Sequence, residues 1–250
     1  MHLAHPQLRA GYARTLSRPD FRELSEVPFY DVSGGRSVVG NPNLRRASIH
    51  HADLRWELYP RPKESVSIGL FYKHFVDPIE TVVEPGNENR VTFLNAPSAN
   101  NLGLELEGRI ALPHDFTLGG NLSLIYSRVD LSGLEGTQTS TVRPLQGQSP
   151  WVANVQLGYE NPDSGSTVTL LYNAFGPRIE EVGIGGMPDT YERTVHRVDL
   201  VASQALPRGF RAQLKVQNLG NPVVRRTVGD LPAFEMTETW SASLGVSWGI

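Results

Sequence analysis

Residues 237–250 read Thr-Glu-Thr-Trp-Ser-Ala-Ser-Leu-Gly-Val-Ser-Trp-Gly-Ile. In an extended chain successive side chains point to opposite faces. Trp240, Ala242, Leu244, Val246, Trp248 and Ile250 therefore share one face, and Ser241, Ser243, Gly245, Ser247 and Gly249 share the other. One side is oily and the other is small and polar. The oily side carries an aromatic ring near each end, as a strand does when it crosses lipid with rings at both interfaces. A soluble sheet also alternates, so the rest of the chain has to decide.

The same alternation recurs along the sequence. It predicts strands over residues 7–17, 48–59, 64–75, 102–112, 118–126, 151–159, 168–174, 198–202 and 210–216, which with the terminal stretch makes about ten. The clearest case sets Leu102, Leu104, Leu106, Gly108, Ile110 and Leu112 against Gly103, Glu105, Glu107 and Arg109. Between these strands lie Pro-, Gly- and Asn-rich stretches at 19–46, 77–100, 132–150, 177–190 and 220–235, expected as irregular loops. Within the second of them, 81–84 and 90–95 are extended pieces expected to pair.

The order of the connections is as informative as the strands. Tight turns sit at Pro60, Pro113, Pro162 and Pro207, spaced 53, 49 and 45 residues apart, and a loop far longer than a hairpin needs lies between each pair. In an up-and-down meander this puts every short turn at one end and every long loop at the other, the asymmetry of an outer-membrane barrel. The polar faces agree. Glu105, Glu107 and Arg109, like Arg211, Gln213 and Lys215, are too charged for a packed barrel interior but suit a wide, wetted lumen. The same charges also suit the solvated outside of a soluble sheet.

Composition removes other classes. A net charge of -3 with scattered Lys and Arg gives no nucleic-acid surface, and the absence of cysteine excludes disulfides, thiolate metal sites and a Cys nucleophile. No apolar run is long enough for a transmembrane helix, which leaves barrel strands of about 9–11 residues possible. Residues 1–10 do not have the layout of a secretory signal. His50 and His51 fall on opposite faces and cannot easily share a metal ion. Glu105 and Glu107 share a face about 7 Å apart, and with Arg109 beside them are expected to form a salt-bridge ladder rather than a catalytic pair. No nucleophile elbow accompanies the Ser residues, and Gly183-Ile184-Gly185-Gly186 opens no helix that would cradle a phosphate. No catalytic, cofactor or metal residue is expected. Phe29, Tyr30, Phe93, Arg178, Tyr191, Arg225 and Arg226 are loop residues that, taken singly, read as solvated loop tips, and as contacts for an incoming ligand only in aggregate.

Several motifs in order carry a resemblance. They are Ser17-Arg18-Pro19-Asp20-Phe21-Arg22-Glu23-Leu24, Gly40-Asn41-Pro42-Asn43-Leu44, Phe71-Tyr72-Lys73 with Asp77-Pro78-Ile79-Glu80, Asn95-Ala96 before Gly103-Leu104-Glu105-Leu106-Glu107, Arg197-Val198-Asp199-Leu200 and Val216-Gln217-Asn218-Leu219. Together they resemble the C-terminal half of the barrel of TonB-dependent outer-membrane receptors. The resemblance implies an all-β, antiparallel up-and-down transmembrane barrel of 22 strands, of which residues 1–250 would be an open part, without the plug domain or the TonB box. It implies location in the Gram-negative outer membrane, contact with its lipid and with the barrel assembly machinery, and TonB engaged only through the missing N-terminal part. It also implies import of a scarce nutrient of the siderophore, cobalamin or carbohydrate class, with transport not expected from this part alone. In the assembly strand, Trp240, Leu244, Val246, Trp248 and Ile250 form the apolar face; the family usually ends in an aromatic residue where this chain has Ile250. Two other readings stay open. A self-contained small pore requires residues 7–17 to pair with 237–249, and a soluble β-rich binding module requires the oily faces to be covered.

Overall fold

The computed structural model describes residues 6–31, 36–83, 90–133 and 138–249. In chain order the elements are β1 (Gln7–Ser17), a one-turn helix α1 (Phe21–Leu24), β2 (Phe29–Asp31), β3 (Arg36–Val38), β4 (Ala47–Leu58), β5 (Ser65–Val76), β6 (Ile79–Val83), β7 (Val91–Asn95), β8 (Ser98–Leu112), β9 (Phe116–Asp130), β10 (Val142–Arg143), β11 (Trp151–Asn161), β12 (Ser166–Phe175), β13 (Arg178–Glu181), β14 (Thr190–Glu192), β15 (His196–Ala205), β16 (Phe210–Gln217), β17 (Val223–Val228), β18 (Leu231–Thr237) and β19 (Ser241–Trp248). The ten alternating stretches form one antiparallel sheet in the order β1-β4-β5-β8-β9-β11-β12-β15-β16-β19, with β10 paired to β9. Each strand pairs with its neighbour along this path. Among the described residues β1 pairs only with β4 and β19 only with β16, so the sheet is open at both edges. The β1–β19 pairing that a self-contained ten-stranded pore requires is absent among the described residues.

Register keeps the oily side continuous across the sheet, because a slip of one residue would turn a strand's leucines to the other face. One row runs Leu8, Trp56, Ile68, Leu106, Leu122 and Ala153, and another joins Leu118, Leu157, Leu170, Leu200, Val216 and Ala242 through neighbouring pairs. These residues are not covered. Leu70 is 50% exposed and Leu244 75% exposed, and among the described residues neither a second sheet nor a helix layer lies on them. The short turns need left-handed backbone, supplied by Lys63, His114, Asp115, Gly165, Arg208 and Gly209, all at positive φ.

The long connections are not irregular. β2, β3, β7 and β6 form one four-stranded sheet from the first and second connections, and β13, β14, β17 and β18 form another from the fourth and fifth. The two expected extended pieces do pair, as β6 with β7. The stretch expected as a fifth loop is mostly the β17–β18 hairpin, turned at Gly229 (φ 58°). The terminal strand therefore starts at Ser241 rather than at residue 237. Trp240 lies just ahead of it, its N–H donating to Asn221 Oδ1 at 2.9 Å, and Ile250 lies outside the described residues.

The buried core sits among these connections. Val83, Ile179, Val182 and Ile184 cluster with Val91 and Tyr191, which packs the two small sheets against each other. Ala96, Ala99, Val129 and Leu131 cluster with Phe75 and Leu145, where the loop end of the large sheet meets the third connection. Among the described residues, Leu131, Ile179, Val82, Val83, Val129 and Val195 are the largest fully buried side chains, and all but Val129, at the loop end of β9, belong to the connections.

Candidate functional site

The polar face of the large sheet carries one continuous row of hydrogen-bonding groups. Pairing places Gln7, Glu57, Ser67, Glu107, Asn121, Asn154, Asn173 and Arg197 successively opposite one another from β1 to β15. At its β1 end the row is a charge chain. Arg55 Nε donates to Glu57 Oε1 at 2.8 Å and Arg55 Nη2 to Glu107 Oε2 at 2.7 Å, while Arg9 faces Glu57 Oε2 at 3.1 Å as an ion pair without hydrogen-bond alignment. Arg55 can reach across β5 because the residues between are small, Gly69 opposite it and Ser67 opposite Glu57. In the middle the row is an amide ladder, Asn173 Nδ2 to Asn154 Oδ1 at 2.7 Å and Asn154 Nδ2 to Asn121 Oδ1 at 2.8 Å. Near its other end Arg197 grips Glu238 with two bonds of 2.9 and 2.7 Å. Those bonds hold the Glu238 carboxyl below its ordinary range.

Glu105, Glu107 and Arg109 stand together on this face of β8, and Arg211 and Lys215 on the same face of β16. Glu107 joins a ladder of ion pairs, but among the described residues that ladder runs across the strands and no ion pair joins Glu105 or Glu107 to Arg109. Same-face neighbours on one strand are about 7 Å apart, whereas residues opposite each other on adjacent strands are about 5 Å apart, so Glu107 pairs across strands with Arg55 instead of along its own with Arg109. Glu105 lies over Gly69, Arg211 Nη1 donates to Ser203 Oγ at 3.2 Å, and Lys215 stands between Val201 and Ser243. Glu107, Arg109, Asn121, Asn154, Gln156 and Asp199 are among the lining of a cavity of about 430 Å³ on this face. Phe71, an aromatic ring on the polar face, fits because Gly103 is opposite: a Cβ at Gly103 would run into the ring.

Most of the loop residues singled out in the sequence are not solvated tips but are engaged in holding the small sheets. Arg178 pairs with Glu192 at 2.7 Å and stacks on Phe175, Arg226 pairs with Glu180 at 2.9 Å and stacks on Phe234, and Arg225 pairs with Glu235 at 3.0 Å. Tyr191 packs into the apolar cluster, and Phe29 lies under the Arg22 guanidinium. Tyr30 is exposed on β2, and Phe93 is half-buried on β7 with its carbonyl accepting from Asn41 Nδ2 at 3.0 Å. One face of β17 and β18, with the 183–188 segment over it, leaves a cavity of about 660 Å³ lined by Met187, Val224, Val228, Phe234 and Met236.

Sequence reading missed the residues that tie this layer together. Arg143 in the third connection meets Glu80 of β6 at 2.9 Å with both side chains almost wholly buried. Burial pushes the Glu80 carboxyl up, against the pull of Arg143. On its other side the third connection bonds the second small sheet, Gln146 Nε2 donating to Glu180 O at 2.7 Å and Gly147 N to Ile179 O at 2.9 Å. The quoted motif residues knot the first two connections: Asn95 Nδ2 donates to Arg45 O and Asp77 O at 2.9 and 2.8 Å. Gly40 passes so close to α1 that a Cβ there would lie 2.6 Å from Arg22 O and Glu23 O.

The oily face carries rings at both ends. Phe116 lies tilted against Tyr159 (5.1 Å) and Phe210 against Trp248 (6.3 Å) at the short-turn end; Tyr12, Tyr72, Tyr126 and Tyr172 lie towards the long-loop end. Along β9, Phe116 to Tyr126 is about 34 Å of strand, or roughly 25 Å across a membrane at the usual tilt. In β19 Leu244, Val246 and Trp248 are exposed, as is Trp240 just before it. His50 and His51 point to opposite faces, His50 Nδ1 lying 2.8 Å from the Tyr12 hydroxyl and His51 Nε2 2.8 Å from Thr15 Oγ1.

Comparison with known proteins gives a consistent result. The sequence model of a family described as TonB dependent receptor-like, beta-barrel, matches residues 3–219. Among solved structures, the copper transporter OprC aligns with a TM-score of 0.70 at 14% identity, covering 99% of this chain and 37% of that one. The ferric enterobactin receptor PfeA of Pseudomonas aeruginosa, in a G324V mutant, aligns at 0.64 and 15% identity, covering 97% and 38%. The siderophore receptor PirA of Pseudomonas aeruginosa aligns at 0.60 and 17%, covering 99% and 40%. At these identities the likeness shows the fold. The chain spans about two-fifths of the length of each of these structures. A search of curated protein sequences returns no match.

Proposed function

The chain belongs to the TonB-dependent receptor β-barrel family, outer-membrane receptors and transporters rather than enzymes, and from that premise we propose that residues 1–250 supply ten strands of the barrel wall and the loops above them for a receptor that imports a scarce nutrient. The nutrient class suggested by the fold's relatives is a metal chelate, with cobalamin and carbohydrate the other classes the family resemblance admits. One observation carries the reading: a single open sheet whose leucine face is bare and whose opposite face is a charged and amide-lined wall. The bare face is assigned to lipid, and Glu105, Glu107, Arg109, Arg211 and Lys215 to the lumen. Backbone groups unpaired in lipid cost several kcal/mol each, so the free edges of β1 and β19 call for further strands, and transport calls for a plug and its TonB contact. The exposed β19 face with Trp240 is the surface assigned to the barrel assembly machinery.

The test is reconstitution of the chain alone. We expect it to partition into detergent or bilayers, to give no chelate uptake and to show no discrete conductance. A pore of one defined size overturns the partial-wall reading in favour of a small self-closed channel, and a chain that stays monomeric in buffer without detergent overturns the membrane reading.

A further inference from the structure

Just beyond the tyrosines at the long-loop end, the outward face changes chemistry. Register places Arg14, His50, His74, Asn100 and Arg128 in one row across β1, β4, β5, β8 and β9. We propose that this row binds phosphate groups of lipid headgroups in the leaflet on the long-loop side. The proposal rests on the oily face being lipid-facing, and deepens it.

The next row inward is Tyr12, Ala52, Tyr72, Leu102 and Tyr126, with no charge, and belongs to the oily band. One step outward along the strands is about 7 Å, or about 5 Å along the membrane normal at the usual tilt, which moves from hydrocarbon into the headgroup zone. The tyrosines themselves mark the boundary. The Tyr12 hydroxyl lies 2.8 Å from His50 Nδ1, the Tyr72 hydroxyl donates to Asn100 Oδ1 at 2.6 Å, and on the far side of the sheet the Tyr172 hydroxyl lies 2.7 Å from His196 Nδ1. Three times a ring rooted in the oily band reaches a polar partner beyond it, as amphipathic rings do at a membrane interface.

The chemistry of the row selects an anion. It holds two guanidinium groups, two imidazoles and an amide, and no carboxylate. Arg14 spends its Nε on Ser48 Oγ at 2.8 Å and, among the described residues, keeps its other N–H groups, and Arg128 is exposed. The row beyond contains one acid, Asp130, whose carboxylate accepts the Ser132 N–H at 2.9 Å. Guanidinium forks match phosphate oxygens in geometry and charge. Five strands span about 20 Å, room for more than one phosphate.

The experiment folds the full chain in neutral detergent and titrates it with diphosphoryl lipid A or the same lipid stripped of its phosphates, reading bound lipid by native mass spectrometry and the shift in thermal midpoint. We expect the phosphorylated lipid to bind about tenfold tighter, and R14Q/R128Q to erase that preference while R14K/R128K keeps most of it. R128Q alone, at an exposed side chain, should reduce the preference if the double variant does not fold. Equal binding of the two lipids, or an unchanged preference in R128Q, overturns the proposal. Competition by inorganic phosphate at the lipid's concentration overturns the headgroup assignment. A chain that never enters micelles sinks the lipid-facing reading, whereas one that enters without a phosphate preference sinks this inference alone.

Discussion

The ten-stranded wall and the layer of connections above it are built from the same residue types and bury them in opposite ways. Leu70 and Leu244 on the wall are bare, while Val82, Val83 and Ile179 in the layer are sealed at 1% exposure or less. The wall has one face for oil and one for water and gains its order from the ladder of backbone bonds. The layer is a small globular core of its own, two sheets clasped around the third connection. What differs is the solvent each region is matched to: a hydrocarbon phase repays exposed leucine, and water does not.

That contrast can be broken at several points. The largest effect is expected at the buried pair. Glu80→Ala strands the Arg143 charge and should cost the layer about 3–5 kcal/mol, while Glu80→Leu with Arg143→Met should cost little; hydrogen exchange of the β6, β7 and 142–147 amides in micelles measures both. Ile179→Ala, in the sealed cluster, should cost about 2–5 kcal/mol by the same readout, with wall amides unaffected. Leu70→Arg reverses the geography: about 2–4 kcal/mol lost in bilayer folding titrations if the residue lies near the midplane of the oily band, and no change in the layer. Asn154→Ala removes two rungs of the amide ladder and should cost about 1–3 kcal/mol, read as the denaturant midpoint in micelles.

The smallest effect is a pH dependence at the Arg197–Glu238 clasp. Glu238 has a folded-state value below its ordinary 4.5, so its contribution is present above that ordinary value and disappears as pH falls through the lower one. Exchange of the 238–240 amides should accelerate only under those acid conditions, and Glu238→Gln should abolish the change.

Much of the wall was legible in the sequence because a period of two needs only one buried or lipid-facing side to be visible. The ten strands, the sorting of turns and loops, and the common face of Glu105, Glu107 and Arg109 all followed from it. Register was not legible. It is what turns Arg55 into the partner of Glu107 and stacks Asn121, Asn154 and Asn173, residues far apart in sequence with nothing local to announce them. The layer hid for a different reason. Val223-Val224-Arg225-Arg226 does not alternate in polarity, although in the strand Val224 is buried and Arg225 exposed, and Pro232 inside β18 looks like a loop signal although an edge strand tolerates it.

Every wall strand pairs with the next wall strand along the chain, and closure entropy grows only slowly with the length of the connection, so the sheet can be laid down pair after pair. The clasped sheets above enjoy no such shortcut: one must wait for residues from 29 to 95 and the other for residues from 178 to 237. Assembly thus has a built-in calendar, in which the cylinder's staves stand before anything is fastened across their rim.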